Sequence, residues 1–568
     1  MANSEIWCLV VDHKNQPSGD LFQVSVDNTA HIADLKEKVK EKKCNDLERI
    51  GAPRLTVWRC ANKEVTLQKV RNEVGEIFSQ KQVECLSAWQ TIGELAVSGS
   101  EALLVQMPDI QTKKRKHEEL NSEQSEESKP LDKIKDCVPL TVCKPPKYQK
   151  VVEPSGPIAC NRPHTYDKIP IDLLDENFGL FKDRCAAPPS SKAIAFAAKL
   201  ADVATNWFQT EAERRDEINE VIWAHSGLLL HTGTIFGKIT DGNLDAIVMP
   251  AAIRACKNEE GHAKNQGSLY YGLFLHQALH SCQKHDTRFP CILIIDIGPT
   301  FGFYGAVWNG QLVQVEPLAP IFDLTANPMD ERARHAFASS LDAFMEGVSR
   351  IQAHYREIKH STETSSHLNT PTDHRARRSY PYMASYEIYG RESVVAFKSR
   401  LDENRLVFTV AHGGSDYIVK FTQRYSKEVH QYLASLGFAP KLFQCKVLPG
   451  GWIAVLMERS KYTQVVELSK DHTELVKRRV SEIVQMLHGQ DLVHGDILAT
   501  NLLVDEDSLT RGGDVKVHFV DFDWAGRVGE AKYPFGVNIY DMFMKRPTGV
   551  EGGGIITKEH DMAMVSRL

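Results

Sequence analysis

The strongest signal in this sequence is a pair of motifs, VHGDILATN at residues 493–501 and VDFDW at residues 520–524. Phosphoryl transfer needs a carboxylate that orients the acceptor hydroxyl. It also needs an amide and a second carboxylate to hold Mg²⁺ on the phosphates of ATP. The order and spacing of these residue types predict Asp496 as the catalytic base, with Asn501 and Asp521 as ligands of the metal and the nucleotide.

A lysine that reaches the phosphates of ATP is expected upstream of these motifs, on a strand and paired with a glutamate of the next helix. The candidates are Lys420 in the strand-like DYIVKF and Glu428 in the helix-like SKEVH. The apolar stretch WIAVLMER predicts a hinge-like strand that places Met457 beside the nucleotide. These three residues complete the predicted ATP site.

Residues 386–568 resemble the protein-kinase superfamily on these motifs, particularly its small-molecule and atypical branch, in which HGD replaces HRD. The resemblance implies a bilobal protein-kinase-like domain. The chain departs from that family in three ways: Asp523 stands where protein kinases have glycine, no complete G-x-G-x-x-G is present, and no A-P-E follows Asp521. The sequence therefore leaves open a degenerate kinase that binds nucleotide without transferring phosphate.

A second pattern lies within residues 151–360, where helical and strand-like stretches alternate as in an α/β core. Asp241 precedes a strand, Lys257 follows in RACKNEEG, and Gln266 and Tyr270 form Q-x-x-x-Y at the start of a helix. This order resembles the restriction-endonuclease-like nucleases of the PD-(D/E)xK group. The resemblance implies a restriction-endonuclease-like α/β core that contacts DNA.

Such nucleases place acidic side chains on Mg²⁺ and use a lysine to polarise the attacking water or the phosphate. Lys257 is the catalytic candidate, and Asp241 is a metal ligand that Asp245 rivals because it lies nearer the lysine. The acidic residue expected two positions before the lysine is Ala255, so Glu259 is the substitute candidate.

A glutamate of the preceding helix, Glu217 or Glu220, is the further acidic candidate that the resemblance implies. Three interpretations of this domain remain open on the sequence: an active Mg²⁺-dependent DNA nuclease, an inactive nuclease fold that acts as a binding module, and no relation to nucleases.

Residues 1–108 alternate apolar and polar positions in two strands, followed by the amphipathic helix AHIADLKEKVKEKK and further strands. This order predicts a β-grasp, ubiquitin-like domain. Residues 109–150 are too poor in apolar residues to form a core and predict a disordered linker. A second polar linker is predicted at residues 361–385. The first linker carries a basic run that is a candidate for binding nuclear import machinery: Lys113, Lys114, Arg115 and Lys116.

The order of ubiquitin-like domain, nuclease-like unit and kinase-like unit resembles the Crinkler effectors. For the first domain the resemblance rests on IWCLVVD, LFQVSVD and LTVWRC, and for the last domain on YIVKF, VHGD, VDFDWAG and KEHD. The resemblance implies a virulence effector, secreted unconventionally, that acts on host proteins in the host cell nucleus. The LxLFLAK motif of the oomycete family members is absent from LFQVSVD.

Composition limits these interpretations. The 568 residues carry 68 basic and 74 acidic side chains, a net charge of −6, which excludes a protein that is basic overall. No stretch approaches 18 apolar residues and no signal peptide is recognisable, so no membrane span is expected. We therefore predict a multi-domain α+β effector whose C-terminal domain is an ATP-dependent, protein-kinase-like phosphotransferase. The alternatives are a Mg²⁺-dependent DNA nuclease that acts through the middle domain and a non-catalytic scaffold of pseudokinase and pseudonuclease folds.

Overall fold

A computed structural model of the chain divides into two compact units, residues 1–121 and residues 122–568. It describes residues 3–12, 15–18, 20–27, 29–43, 55–60, 67–80, 83–86, 92–95, 101–107, 158–159, 168–257, 262–281, 287–364, 377–465, 470–510, 514–537 and 546–568. The basic run at 113–116, the predicted linker at 109–150 and Glu259 lie outside these residues. Among the helices that the structure describes, none is long and apolar enough to cross a membrane.

The first unit is a mixed five-stranded sheet with the strand order β2-β1-β5-β3-β4. Strands β1 and β5 run parallel, and the other neighbours are antiparallel. Its elements are β1 (Asn3–Val11), β2 (Phe22–Asp27), α1 (Ile32–Lys42), β3 (Thr56–Cys60), α2 (Leu67–Ser79), β4 (Val83–Cys85), α3 (Ile92–Leu95) and β5 (Ala102–Gln106).

Helix α1 confirms the amphipathic pattern of the sequence. Ile32, Leu35 and Val39, which repeat at helical spacing, are fully buried in one apolar cluster of the unit. Helix α2 buries Val70 and Val74 in a second cluster. The two helices therefore bury their apolar residues in separate clusters of this unit.

The second unit begins with a seven-stranded sheet. Six of its strands follow the order β6-β13-β12-β11-β10-β9, and the seventh, β14, pairs with β12. Strands β10 and β11 are parallel neighbours, and every position of β10 is buried. The elements are β6 (Ile158–Ala159), α4 (Ile171–Leu174), α5 (Glu176–Ala186), α6 (Ser191–Ala204), α7 (Glu211–Ser226), β7 (Thr234–Ile235), β8 (Lys238–Ile239), β9 (Gly242–Leu244), β10 (Ala252–Lys257), α8 (Ala263–Ser281), β11 (Cys291–Ile297), β12 (Thr300–Trp308), β13 (Val313–Pro317), β14 (Phe322–Asp323) and α9 (Glu331–Thr364).

A five-stranded antiparallel sheet, β17-β18-β19-β21-β20, follows, and then a mostly helical part with small sheets. The elements are β15 (Ser385–Ile388), β16 (Arg391–Val394), β17 (Ala396–Arg400), β18 (Val407–His412), β19 (Ser415–Thr422), α10 (Lys427–Ser435), β20 (Leu442–Leu448), β21 (Trp452–Glu458), β22 (Thr463–Gln464), α11 (Lys470–His488), β23 (Leu492–Val493), β24 (Leu502–Val504), α12 (Glu506–Thr510), β25 (Val517–Phe519), β26 (Gly526–Arg527) and α13 (Lys558–Ser566).

The seven-stranded and five-stranded sheets share one hydrophobic core, which runs from Ile158 to Leu456 in sequence. Helix α5 lies against the turn between β20 and β21. A Cβ atom at Gly179 would lie 2.7 Å from the carbonyl carbon and oxygen of Pro449, so only glycine fits there. The two sheets are therefore packed into one body, and the antiparallel sheet that carries Lys420 is supported by the middle part of the chain.

Candidate functional site

The loop that carries HGD begins where β23 ends, and a buried carboxylate fixes its backbone. Asp561 of α13 is fully buried and accepts the backbone N–H groups of His494 and Gly495, both at 2.8 Å. Gly495 has a φ of 80°, and a Cβ atom there would lie 2.7 Å from Ile556. This geometry explains why glycine stands between the histidine and the aspartate.

The loop then brings Asp496 and Asn501 together. The side-chain amide of Asn501 donates to the backbone carbonyl of Asp496 at 3.0 Å and to its Oδ2 at 2.8 Å. The second carboxylate oxygen of Asp496 lies 2.6 Å from the guanidinium of Arg546. The backbone N–H of Val520 donates to the carbonyl of Asn501 at 3.0 Å, which places the VDFDW stretch beside this loop.

Asp521 follows β25 with a φ of 69°, a left-handed backbone conformation that a non-glycine residue adopts only at a cost. Its two carboxylate oxygens receive two cations: Lys420 at 2.6 Å and Arg405 at 2.9 Å. Burial raises the pKa of Asp521, but the bonds to Lys420 and the charge of Arg405 outweigh burial and hold it below its usual value. Asp521 is therefore a carboxylate at neutral pH.

Asp523 is a second carboxylate on the same lysine. Its Oδ1 lies 2.6 Å from Nζ of Lys420, and its Oδ2 accepts from the hydroxyl of Thr422 at 3.0 Å. Burial raises the pKa of Asp523 to about 6, although Lys420 acts in the opposite direction. Burial also lowers the pKa of Lys420, but Asp521 and Asp523 together raise it above the usual value. The lysine is therefore charged at neutral pH.

Phe522, between these two aspartates, connects the site to helix α10. Its ring lies 5.4 Å from that of His494 and stacks on His430 at 4.6 Å with an interplanar angle of 14°. Burial lowers the pKa of His430 to about 4 and also lowers that of His494. Both rings are therefore neutral, and they form a column that links the loop, the D-F-D triplet and α10.

The predicted pair between Lys420 and Glu428 is not formed. Glu428 is about half exposed and pairs with Arg527. Helix α10 buries Val429, His430 and Leu433, and Glu428 is not among its buried residues. Met457 is buried in the predicted strand, β21, opposite Ile418 of β19.

The middle part of the chain assembles a second polar cluster. Oδ2 of Asp241 accepts from the backbone of Cys256 at 3.1 Å and from the side-chain amide of Gln266 at 3.0 Å. The same amide lies 2.7 Å from the hydroxyl of Tyr270, so Q-x-x-x-Y holds the aspartate. Burial raises the pKa of Asp241 to about 6.

Lys257 completes this cluster with a partner that the sequence did not indicate. Its Nζ lies 3.1 Å from Oε1 of Glu211, at the start of α7. One turn further, Arg214 is buried and pairs at 3.0 Å with Asp296, which also binds Arg254. This buried network fixes α7 against the sheet and so places Glu211 beside the lysine.

Ligand atoms of Glu211, Asp241 and Cys256 lie within 4.8 Å of one another. Burial raises the pKa of the Cys256 thiol to about 12, so it is protonated at neutral pH. The two carboxylates are the oxygen donors that suit Mg²⁺.

The other predicted acidic residues are not part of this cluster. Asp245 pairs with His231 at 2.9 Å and is exposed. Glu217 and Glu220 face solvent from α7. Ala255 is buried in β10, and Glu259 lies outside the described residues.

Comparison with known protein families gives a match for one part of the chain. Residues 5–100 match the family model of the Crinkler effector protein N-terminal domain. The first unit is similar to that domain. No curated protein matches the chain.

Kinases are among the similar solved structures. The granulovirus kinase PK-1 of Cydia pomonella has a TM-score of 0.23 at 17% identity, over 30% of this chain and 65% of that one. Vaccinia related kinase 3 has a TM-score of 0.25 at 16% identity, over 36% of this chain and 70% of that one. The chain thus spans less than two thirds of the granulovirus kinase.

The residues of these sites that the sequence predictions missed include Glu211, Arg405, Arg546 and Asp561. Asp561 lies in KEHD, a stretch that carried the family resemblance without a role for the aspartate. Glu211 and Arg546 belong to no motif, because only the fold brings them to Lys257 and Asp496.

Proposed function

We propose that residues 386–568 transfer the γ-phosphoryl group of ATP to a hydroxyl group of a protein in a host cell. The observation that carries the proposal is the assembly of one polar site from three parts of the fold. Lys420 comes from the antiparallel sheet, Asp496 and Asn501 from one loop, and Asp521 from the end of β25. Phosphoryl transfer depends mainly on such positioning and on charge.

The donor set fits a hard cation. Oδ1 of Asn501 is buried and accepts no hydrogen bond from the described residues, and Asp521 supplies a carboxylate. Asn501 and Asp521 would hold Mg²⁺, which neutralises phosphate charge when it is bound. Lys420 would leave its carboxylates to bind phosphate, Met457 and β21 would line the nucleotide, and Asp496 would orient the acceptor hydroxyl and take its proton.

Mass spectrometry after incubation with ATP and Mg²⁺ tests this proposal. The wild type should gain phosphate on itself or on added host proteins, and Asp521→Asn should gain none. Lys420→Ala should lose the thermal stabilisation that ATP gives the wild type. Stabilisation by ATP without any phosphate gained would instead support a degenerate kinase that acts as a scaffold.

We also propose that the chain acts as a virulence effector. The match of residues 5–100 to the Crinkler N-terminal domain supports delivery to another cell. Unconventional secretion, the host nucleus as destination, and import through Lys113, Lys114, Arg115 and Lys116 are parts of this proposal. Fluorescence microscopy of the tagged chain in host cells, with all four basic residues replaced by alanine as the comparison, tests the nuclear destination.

A second activity is proposed for residues 151–360: Mg²⁺-dependent cleavage of DNA. The observation that favours it is the arrangement of Glu211, Asp241 and Lys257, which forms although Ala255 replaces the usual acidic residue. Glu211 and Asp241 would hold the cation, and Lys257 would polarise the phosphate or the attacking water. Nicking of supercoiled DNA by the wild type with Mg²⁺ or Mn²⁺ tests it, and no cleavage with either metal would contradict it.

A further inference from the structure

The side chain of Arg546 occupies a buried position between Asp496 and Trp524. Its NH1 lies 2.6 Å from Oδ1 of Asp496, and only 4% of the side chain is exposed. The guanidinium lies over the indole ring of Trp524, with Cζ 4.6 Å from the ring centroid. The guanidinium group of Arg546 therefore contacts a carboxylate through NH1 and an aromatic ring through its face. These two contacts leave it little freedom to rotate.

The aromatic support is itself fixed. The ring of Trp524 meets that of Tyr533 edge to face at 5.8 Å, and Tyr533 is 1% exposed. Cβ of Trp524 also lies 3.4 Å from the position of a Cβ atom at Gly495. The D-F-D-W stretch and the H-G-D loop are therefore packed together where Arg546 binds.

The loop that holds Asp496 supplies no cation of its own. Between Asp496 and Asn501 the residues are Ile497, Leu498, Ala499 and Thr500. Negative charge spreads over the oxygens of the phosphoryl group during its transfer, and kinases and GTPases place a positive side chain there. Among the described residues, Arg546, far along the sequence, is the basic side chain that pairs with the proposed base.

Stability alone is a weak reason for such an ion pair, because burying two charges costs about as much as their attraction returns. Of the two oxygens of Asp496, Asn501 holds one and Arg546 lies against the other. Together they fix the plane of the carboxylate in the loop.

We infer that Arg546 is a positioning residue for phosphoryl transfer, which orients Asp496 and places a positive charge beside it, where its loop has none. This inference rests on the proposed kinase activity. A guanidinium at this place serves the transfer step more than the binding of ATP, so the turnover number should depend on it and the KM for ATP should not.

The test compares steady-state phosphorylation by the wild type, Arg546→Ala and Arg546→Lys. We expect Arg546→Ala to lower kcat about 10²-fold, the low end of what a misplaced general base costs, and to leave the KM for ATP within about twofold. Arg546→Lys should recover part of the loss, and added guanidinium ion should raise the rate of Arg546→Ala only. The control is Arg479→Ala, which removes a similar combination: an ion pair with Glu482 at 2.8 Å and a contact over the ring of Phe438 at 5.2 Å.

Each result decides the inference. A kcat of Arg546→Ala equal to that of the wild type would overturn it, and a higher kcat would show that the arginine inhibits Asp496. A wild type without turnover would overturn the proposed function and this inference together. A loss of kcat in Arg546→Ala that guanidinium does not relieve, matched by an equal loss in Arg479→Ala, would show a structural role only.

Discussion

Nζ of Lys420 lies 2.6 Å from Oδ1 of Asp523, the aspartate that stands where protein kinases have glycine. Lys420, which also pairs with Asp521, is therefore held by two carboxylates. Only about a quarter of the Asp523 side chain is exposed, so its ionisation depends on this contact. The departure from the kinase pattern thus has a measurable electrostatic consequence.

The first prediction concerns pH. The native pKa of Asp523, about 6, lies above the value of about 3.9 for an unfolded aspartate, so the native state binds this proton more tightly. The stability of the wild type relative to Asp523→Asn should therefore be greatest below pH 4 and fall as the pH rises through 6. With partial exposure taken into account, we expect a fall of about 2 kcal/mol. Urea unfolding at several pH values measures it, and a difference that does not vary between pH 4 and 7 would refute the assignment.

The second prediction concerns Asp561. Asparagine can accept only one of the two backbone N–H groups that the carboxylate holds at 2.8 Å. We expect Asp561→Asn to lower the free energy of unfolding by about 2 kcal/mol and to lower kcat, since the loop of Asp496 loses its anchor. Asp514→Asn, at an exposed position, is the control and should match the wild type in both measurements. Unchanged stability in Asp561→Asn would contradict the role of this carboxylate.

The third prediction tests the contact between helix α5 of the middle part and the turn that precedes β21. Gly179→Ala should lower the free energy of unfolding by about 1–3 kcal/mol, because its Cβ would lie 2.7 Å from the carbonyl of Pro449. Since Pro449 precedes β21, ATP binding should weaken as well. Gly536→Ala is the control, because no atom lies within 4 Å of its added Cβ. If Gly179→Ala unfolds and binds ATP as Gly536→Ala does, the helix and the turn are not packed as described.

The fourth prediction concerns the middle cluster. If wild-type protein nicks DNA with Mg²⁺, Glu211→Gln and Lys257→Ala should each lower the rate by at least about 10²-fold. Glu217→Gln removes a glutamate from the same helix at an exposed position and should cut at the wild-type rate. A Glu211→Gln protein that cuts as fast as Glu217→Gln would show that Glu211 holds no cation.

Sequence patterns located the residues whose relationship is local. Asp496 and Asn501 stand on one loop, and their contact follows from a spacing that can be read along the chain. Asp521 follows an apolar strand, and Gln266 contacts Tyr270 one helical turn later. Short-range geometry fixes each of these relationships, so residue type and spacing suffice.

Relationships that depend on which side of a helix faces the site were not predicted correctly. Glu217 and Glu220 were candidates on α7, but the buried residues of that helix, Arg214 and Ile218, turn both glutamates to solvent. Glu211 is the first residue of α7, which Thr210 caps, and from this position its carboxylate reaches Lys257. The start of the helix and its contact with β11 are set by packing, which the pattern alone does not specify.

Asp496 is proposed to act as the base of the phosphoryl transfer, so its replacement by asparagine should separate ATP binding from catalysis. Initial rates of autophosphorylation with ATP and Mg²⁺ should be compared for the wild type and Asp496→Asn, with ATP binding measured on both proteins. We predict that the variant binds ATP within about twofold of the wild type and loses at least about 10²-fold in rate, as expected for a general base. Equal rates of phosphate incorporation by the two proteins would contradict the claim.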